Sequence, residues 1–210
     1  MQTSSPSPRI TTIFTDIGGV ILTNGWGRAA RKLAAETFQL DFLDMDERHH
    51  LSFNTYEDGK LSLDQYLDQV VFHITRSFSR DEFKAFMYDQ SQPLPDMLKF
   101  IRALKGHLQI KIVAISNEGR EIANYRVEKF DLRDFIDAFI VSAYVHYRKP
   151  DKDIYALALD IAQTNVEHAV YIDDRPLFVE VASAMGIRTI QHISAAQTQV
   201  ELAELGLALP

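Results

Sequence analysis

Five short runs of apolar, β-branched or aromatic residues punctuate the chain: "ITTIFT" at 10–15, "IKIVAIS" at 110–116, "AFIVS" at 138–142, "AVYID" at 169–173 and "IRTIQ" at 187–191. Each has the length of a strand, and most are apolar on consecutive positions. Strands of that kind are covered on both faces, as in a parallel sheet between helices. Between the later runs lie helical stretches. "PDMLKFIRALKG" is expected to stop at Gly106; "EGREIANYRVEKF" and "KDIYALALDIAQT" follow, and "PLFVEVASAMG" is expected to stop at Gly186. Strand–helix alternation predicts an α/β fold with right-handed crossovers.

The first gap breaks this alternation. From Gly25 to about Gln92 the pattern is helical throughout, with apolar residues three or four apart in "RAARKLAAETFQ", "LSLDQYLDQVVFHIT" and "RDEFKAFMYDQ". "SRDE", Ser79 to Glu82, reads as a capping box opening the last of these. The gap is too long for one crossover helix or a structureless loop, so it predicts an all-helical insertion over the sheet edge. In "VILTNGW" before it, Asn24-Gly25 reads as a two-residue hairpin turn and predicts a small β-flap. The expected organisation is a loose tail over 1–9, a core from 10–24 and 93–210, and a helical insertion over 25–92.

Composition narrows the function classes. With 210 residues, 46% hydrophobic, the chain can bury one sizeable core. It has no cysteine, which excludes disulfides, thiolate metal sites and a catalytic thiol and suits a cytoplasmic setting. No apolar run approaches the roughly 20 residues of a membrane span, and the polar, proline-broken N-terminus lacks the apolar stretch of a signal peptide. A net charge of −7 gives no sign of nucleic-acid or membrane binding. An anion would need a local positive spot. No residue pattern specifies an oligomeric state.

Ligands of open parallel sheets bind at the carboxyl ends of the strands. Asp16, Gly18 and Gly19 follow the first run; Ser116 and Asn117 end the second. Arg148 and Lys149 come a short loop after the third, and Asp173 and Asp174 end the fourth. Singly, each has an ordinary explanation: a turn former, a loop start, a helix N-cap, a solvated lysine. Together they put three carboxylates, a hydroxyl, an amide and a lysine on one rim. Crowded carboxylates repel unless a cation joins them, and hard oxygen ligands suit Mg²⁺. A carboxylate can attack phosphorus, while a hydroxyl, backbone N–H groups and a lysine hold the phosphoryl charge.

On these residues the chain resembles the haloacid dehalogenase-like hydrolases, whose four motifs stand in order as "FTDIGGVIL", "VAISN", "YRKPDKDIY" and "VYIDDR". The helical insertion matches the cap that this superfamily places after its first motif, and "YEDGKLSLDQY" resembles caps of the subgroup with an Asp-x-Gly-x-Val first motif. The resemblance implies a Rossmann-like three-layer sandwich. It also implies Asp16 as nucleophile and Mg²⁺ ligand, and Gly18 as a ligand through its carbonyl. Ser116 and Asn117 would hold the phosphoryl group, Lys149 would tie the charges together, and Asp173 and Asp174 would complete the metal site. The expected activity is a cytoplasmic, Mg²⁺-dependent phosphatase of a small phosphorylated metabolite, with sugar phosphates first in view.

One position departs from the family pattern. Most phosphatases of the superfamily carry a second Asp two residues past the nucleophile, to protonate the leaving group and then activate water; this chain has Gly18. Three explanations stay open: a substrate that needs no acid, a cap residue (His49, His50, Tyr56, Glu57 or Asp58) that supplies it, or a protein that binds without turnover. The alternatives are therefore a 2-haloacid dehalogenase-type hydrolase and a catalytically silent ligand-binding or scaffold member. Against the first, Gly18 stands where dehalogenases usually have Tyr, and "IDD" supplies a metal's acidic pair. The histidines, His49-His50 included, show no metal-site spacing; the rest (His73, His107, His146, His168, His192) are scattered. Trp26 and Phe53 are read as cap core that could also face the substrate.

Overall fold

The computed structural model describes residues 8–210. Its centre is a five-stranded parallel sheet of β1 (Thr12–Thr15), β2 (Lys111–Ser116), β3 (Ala138–Val141), β4 (Ala169–Asp173) and β5 (Arg188–Gln191), ordered β3-β2-β1-β4-β5. Every residue of β1 and β4 is buried, as their unbroken apolar pattern requires. Successive side chains alternate between faces. Ile13, Ile112, Ala114, Val170 and Ile172 enter one core with α5 (Pro95–His107) and α10 (Ala195–Glu204). Phe14, Val113, Ile115 and Tyr171 enter the other with α8 (Lys152–Ala162) and α9 (Pro176–Ala184). The α/β, Rossmann-like architecture expected from the sequence is the one observed. The remaining core helices are α6 (Arg120–Lys129) and the short α7 (Ser142–Val145). Neither α7 nor α10 was expected.

Between β1 and β2 stand four helices rather than the expected three: α1 (Arg28–Thr37), α2 (Phe42–Glu57), α3 (Leu63–Val70) and α4 (Arg80–Asp89). They share their own core around Trp26, Tyr56, Tyr66, Leu67 and Phe83. The helix without a sequence signal, α2, buries His49, Ser52 and Glu57 beside Met45 and Tyr56. Polar residues on its buried face interrupt the apolar spacing. The Ser79–Glu82 capping box is formed: each side chain satisfies the other's backbone N–H, at 3.2 and 2.7 Å.

Two local expectations are corrected, and a third falls mostly outside the described residues. Asn24-Gly25 does not make a hairpin. The chain reverses earlier, where Ile21 and Leu22 both donate to the Ile17 carbonyl and Gly19 takes φ +79°. The linkers into and out of the helical unit then pair antiparallel: Thr23 N–H donates to the Gln92 carbonyl at 2.8 Å and Leu94 N–H to the Ile21 carbonyl at 2.9 Å. The β-flap is thus replaced by a two-linker ribbon. Second, α5 does not stop at Gly106 but runs to His107; this glycine is exposed and a Cβ there would touch nothing. Gly186, by contrast, ends its helix in the left-handed region, at φ +89°. Third, the loose tail expected over 1–9 falls mostly outside the described residues. Its last two residues are tied down, since the Pro8 carbonyl accepts from Arg188 and the Arg9 carbonyl from His168.

Candidate active site

Strand register builds the site. Thr15 is paired with Ile172, so the next residues, Asp16 and Asp173, come level at the carboxyl rim. Thr15 also pairs with Ala114, which brings Ser116 to the same edge two residues on. The backbone N–H of Asp16 donates to the Ile172 carbonyl at 2.9 Å, and its own Oδ1 accepts from Ile17 N–H at 2.7 Å. Asp16, Asp173 and Asp174 offer carboxylate oxygens that all lie within 4.8 Å of one another. Lys149 Nζ sits between them, 3.1 Å from Asp16 and 2.7 Å from Asp173. Asp173 also accepts from Tyr171 OH, and its Oδ1 takes the Arg175 N–H at 2.8 Å.

Burial sharpens the electrostatics. It pushes the Asp16 carboxyl up to about 7, against the pull of Lys149 and with the repulsion of Asp173. Burial also opposes the Lys149 charge, but Asp16 and Asp173 outweigh it and hold the ammonium above its ordinary range. One lysine thus serves two buried carboxylates while Asp174 Oδ1 is buried with no partner. An oxygen-ligated divalent cation fits that donor set. Gly19 belongs to the same arrangement: a Cβ on it would fall 2.3 Å from Asp174 Oδ2.

Asn117 has a structural task besides the one expected. Its amide donates to the Lys149 carbonyl and accepts the Lys149 N–H, both at 2.8 Å. The side chain holds the lysine's backbone while the residue lines the cavity. Ser116 Oγ donates to Glu118 Oε1 at 3.0 Å. Glu118 in turn pairs with Arg126 Nη1 at 2.5 Å, with both residues almost fully buried. Neither was anticipated. Glu118 follows Ser116 by two residues, and a search for carboxylates just past each strand would have found it; Arg126 lies mid-helix and gives no such sign.

Over the rim lies a cavity of about 390 Å³, walled by the sheet's loops below and the helical unit above. Asp16, Gly18, Ser116, Asn117 and Glu118 line it from the core; Trp26, His49, His50, Phe53 and Glu57 line it from the other side. The positive spot that an acidic protein needs is here, in Arg28, Arg31, Arg126, Arg148 and Arg175. Of the candidate proton donors, Tyr56 is packed in the helical unit's core with its hydroxyl on Glu121, and Asp58 pairs with Lys60. His49, His50 and Glu57 reach the cavity.

These three differ in chemistry. Trp26 Nε1 donates to Tyr66 OH at 2.8 Å, leaving the tyrosine's hydrogen for His49 Nδ1, also at 2.8 Å. The network therefore puts the imidazole proton on Nε2. Burial, with Arg31 and His50, pushes His49 down to about 3 and keeps it neutral. His50 is exposed, 3.7 Å from Asp46. Burial pushes Glu57 up to about 7 despite its ion pair with Arg148, so a proton is available on it near neutral pH.

A family model for haloacid dehalogenase-like hydrolases matches residues 10–186. Among curated relatives, the chain is 34% identical over 70 residues to the pyrimidine 5'-nucleotidase YjjG of Escherichia coli K12, covering 33% of this chain and 30% of that one. It is 25% identical over 134 residues to a phosphorylated carbohydrates phosphatase of Thermotoga maritima, covering 64% of this chain and 57% of that one. The chain thus spans well under two thirds of either relative. A solved HAD family enzyme of Bacteroides thetaiotaomicron, BT-2542, in complex with magnesium and inorganic phosphate, aligns at a TM-score of 0.70 and 19% identity, over 86% of this chain and 93% of that one. Solved L-2-haloacid dehalogenases share the fold too, at TM-scores of 0.62. No helix among the described residues is long and apolar enough to cross a membrane.

Proposed function

The chain belongs to the haloacid dehalogenase-like hydrolases, and from that premise we propose that it is a Mg²⁺-dependent phosphatase of a small phosphorylated metabolite. The observation that carries this reading is the cluster of Asp16, Asp173 and Asp174, with Lys149 paired to the first two, beneath an arginine-lined cavity. Phosphatase and nucleotidase relatives support it.

Asp16, Asp173, Asp174 and the Gly18 carbonyl would hold the ion, which supplies charge neutralisation where two anions must meet. Asp16 attacks phosphorus and forms an aspartyl-phosphate as the alcohol departs. Lys149 steadies the charge on the transferring group, and the Ser116 hydroxyl, which donates to Glu118, would turn to join it. Glu57 donates the proton to the leaving oxygen. Burial pushes it up to about 7, and it reaches the cavity from the helical unit, opposite the nucleophile; that unit is here read as a cap over residues 25–92. That cap excludes water and selects the substrate. Sugar phosphates head the substrate class, ahead of nucleotides.

The test is phosphate release from a panel of sugar phosphates and nucleotides, with Mg²⁺ and with chelator, for wild type and Asp16→Asn. The expected result is release that needs both the metal and Asp16. Release that survives either removal overturns the mechanism. Chloride release from 2-haloacids without metal would establish the dehalogenase alternative instead.

A further inference from the structure

Hydrolysis of an aspartyl-phosphate needs a group to accept the proton of the attacking water, and Gly18 has no side chain to do so. Two glycines show what occupies the space instead. A Cβ on Gly18 would come 3.2 Å from Asn24 Oδ1 and 3.5 Å from Arg126 Nη1; one on Gly25 would fall 2.0 Å from Arg126 Nη2. The Arg126 guanidinium thus fills the volume beside the nucleophile's loop. Its Nε donates to Ser91 Oγ at 3.0 Å and its Nη2 to the Thr23 carbonyl at 3.2 Å, one from each linker. Its Nη1 donates to Glu118 Oε1.

Glu118 Oε1 therefore takes two donors, Arg126 and Ser116, while Oε2 is buried without any. Leaving such an oxygen unpaired is costly. A water in the cavity that Glu118 lines with Asp16 would satisfy it. The Glu118 N–H is fixed as well, donating to Ser142 Oγ at 3.0 Å.

We propose that Glu118 is the general base of the hydrolytic step, delivered from the end of β2 and held in place by Arg126; this rests on the phosphatase reading above. Water oxygen bonds to phosphorus as its proton passes to Glu118. The phosphorus–oxygen bond to Asp16 breaks, its electron pair returns to the carboxylate, and inorganic phosphate leaves. The proton on Glu118 then goes to solvent. Glu118 is held from the core side by Arg126 and Ser116, so leaving-group protonation stays with the cap.

Rapid-quench kinetics with p-nitrophenyl phosphate and Mg²⁺ test this, because that leaving group needs no acid. Glu118→Gln should keep a burst of nitrophenolate near one per active site and then turn over about 10²-fold or more slowly. Acid-quenched Glu118→Gln should carry covalent phosphate that Asp16→Asn abolishes. Glu118→Asp, which keeps the charge facing Arg126 but shortens the reach, should show the same burst with a milder second phase. That variant decides the matter if Glu118→Gln does not fold. A purely structural ion pair predicts that burst and steady rate fall together; that result, or a steady rate unchanged in both variants, overturns the proposal alone. A wild type that releases no phosphate from any substrate overturns the phosphatase reading and this proposal with it.

Discussion

Glu57 faces the cavity from the end of α2, and its proton has two separate consequences. In the folded protein burial pushes it up to about 7, against an ordinary value of 4.5. Between those pH values the native state holds a proton that the unfolded chain releases, so this group's contribution to stability declines as pH rises through the window. Glu57→Gln should therefore gain on wild type in urea midpoint between pH 5 and pH 7.5; a constant difference would place the proton elsewhere. In catalysis the same variant should lose about 10²-fold on alkyl phosphates and little on p-nitrophenyl phosphate. Gly18→Asp should lower kcat rather than restore an acid, since the new side chain would meet Arg126 and Asn24 and compete with Glu118. Asp16, Lys149, Asp173 and Asp174 were legible because strand ends in a parallel sheet converge on one rim. Glu118, two residues past β2, was overlooked; Arg126 was not legible, because its meeting with Glu118 depends on how α6 and the two linkers pack. The bond from Asn117 to the Lys149 backbone was hidden for a related reason: spacing shows where a side chain starts, not which backbone it is bonded to.

Elements carry the link between cap and core. A Cβ on Gly119 would lie 1.9 Å from Tyr56 Cζ, so this bare backbone at the start of α6 receives the end of a cap ring. Tyr56 OH donates to Glu121, and Glu121 also accepts the Leu63 N–H at 2.9 Å, so two cap helices are docked on one turn of α6. Gly119→Ala should displace the cap, cost about 1–3 kcal/mol in denaturant unfolding, and raise KM more than it lowers the rate on a small activated substrate. Ser79→Ala, at the α4 capping box, should cost about 1 kcal/mol with kinetics unchanged. The contrast separates cap stability from cap position. Four of the sequence's helical signals in the core and three in the insertion correspond to helices, because each has one apolar face. The missing one, α2, turns His49, Ser52 and Glu57 inward, and the polarity that hid it is what it contributes to the site.

At the scale of the whole molecule, charge has to be distributed against its own average. The chain carries −7 overall, yet five arginines line the cavity while three aspartates crowd beneath them with one lysine. The sequence called for a local positive spot and put Arg148 near it, but not the others: Arg28 and Arg31 open α1, Arg126 lies in α6 and Arg175 follows β4. Most are already engaged: Arg31 with Asp46, Arg126 with Glu118, Arg148 with Glu57. The aspartates are the less balanced half, with a buried Asp174 oxygen lacking any partner. A divalent cation bound there would relieve repulsion in the folded state only, because the unfolded chain does not hold the three carboxylates together. Folding and metal binding are then linked: the melting temperature should climb with Mg²⁺ concentration without reaching a plateau at stoichiometry, by RT ln(1 + [L]/Kd) in free energy. Chelator should reverse the shift. Asp174→Asn should flatten the Mg²⁺ dependence while raising the metal-free melting temperature, since it removes one of the repelling charges. A wild type whose melting temperature ignores Mg²⁺ up to 10 mM (on the order of 10–100 times the Kd expected of a working site) would falsify a metal role for this cluster.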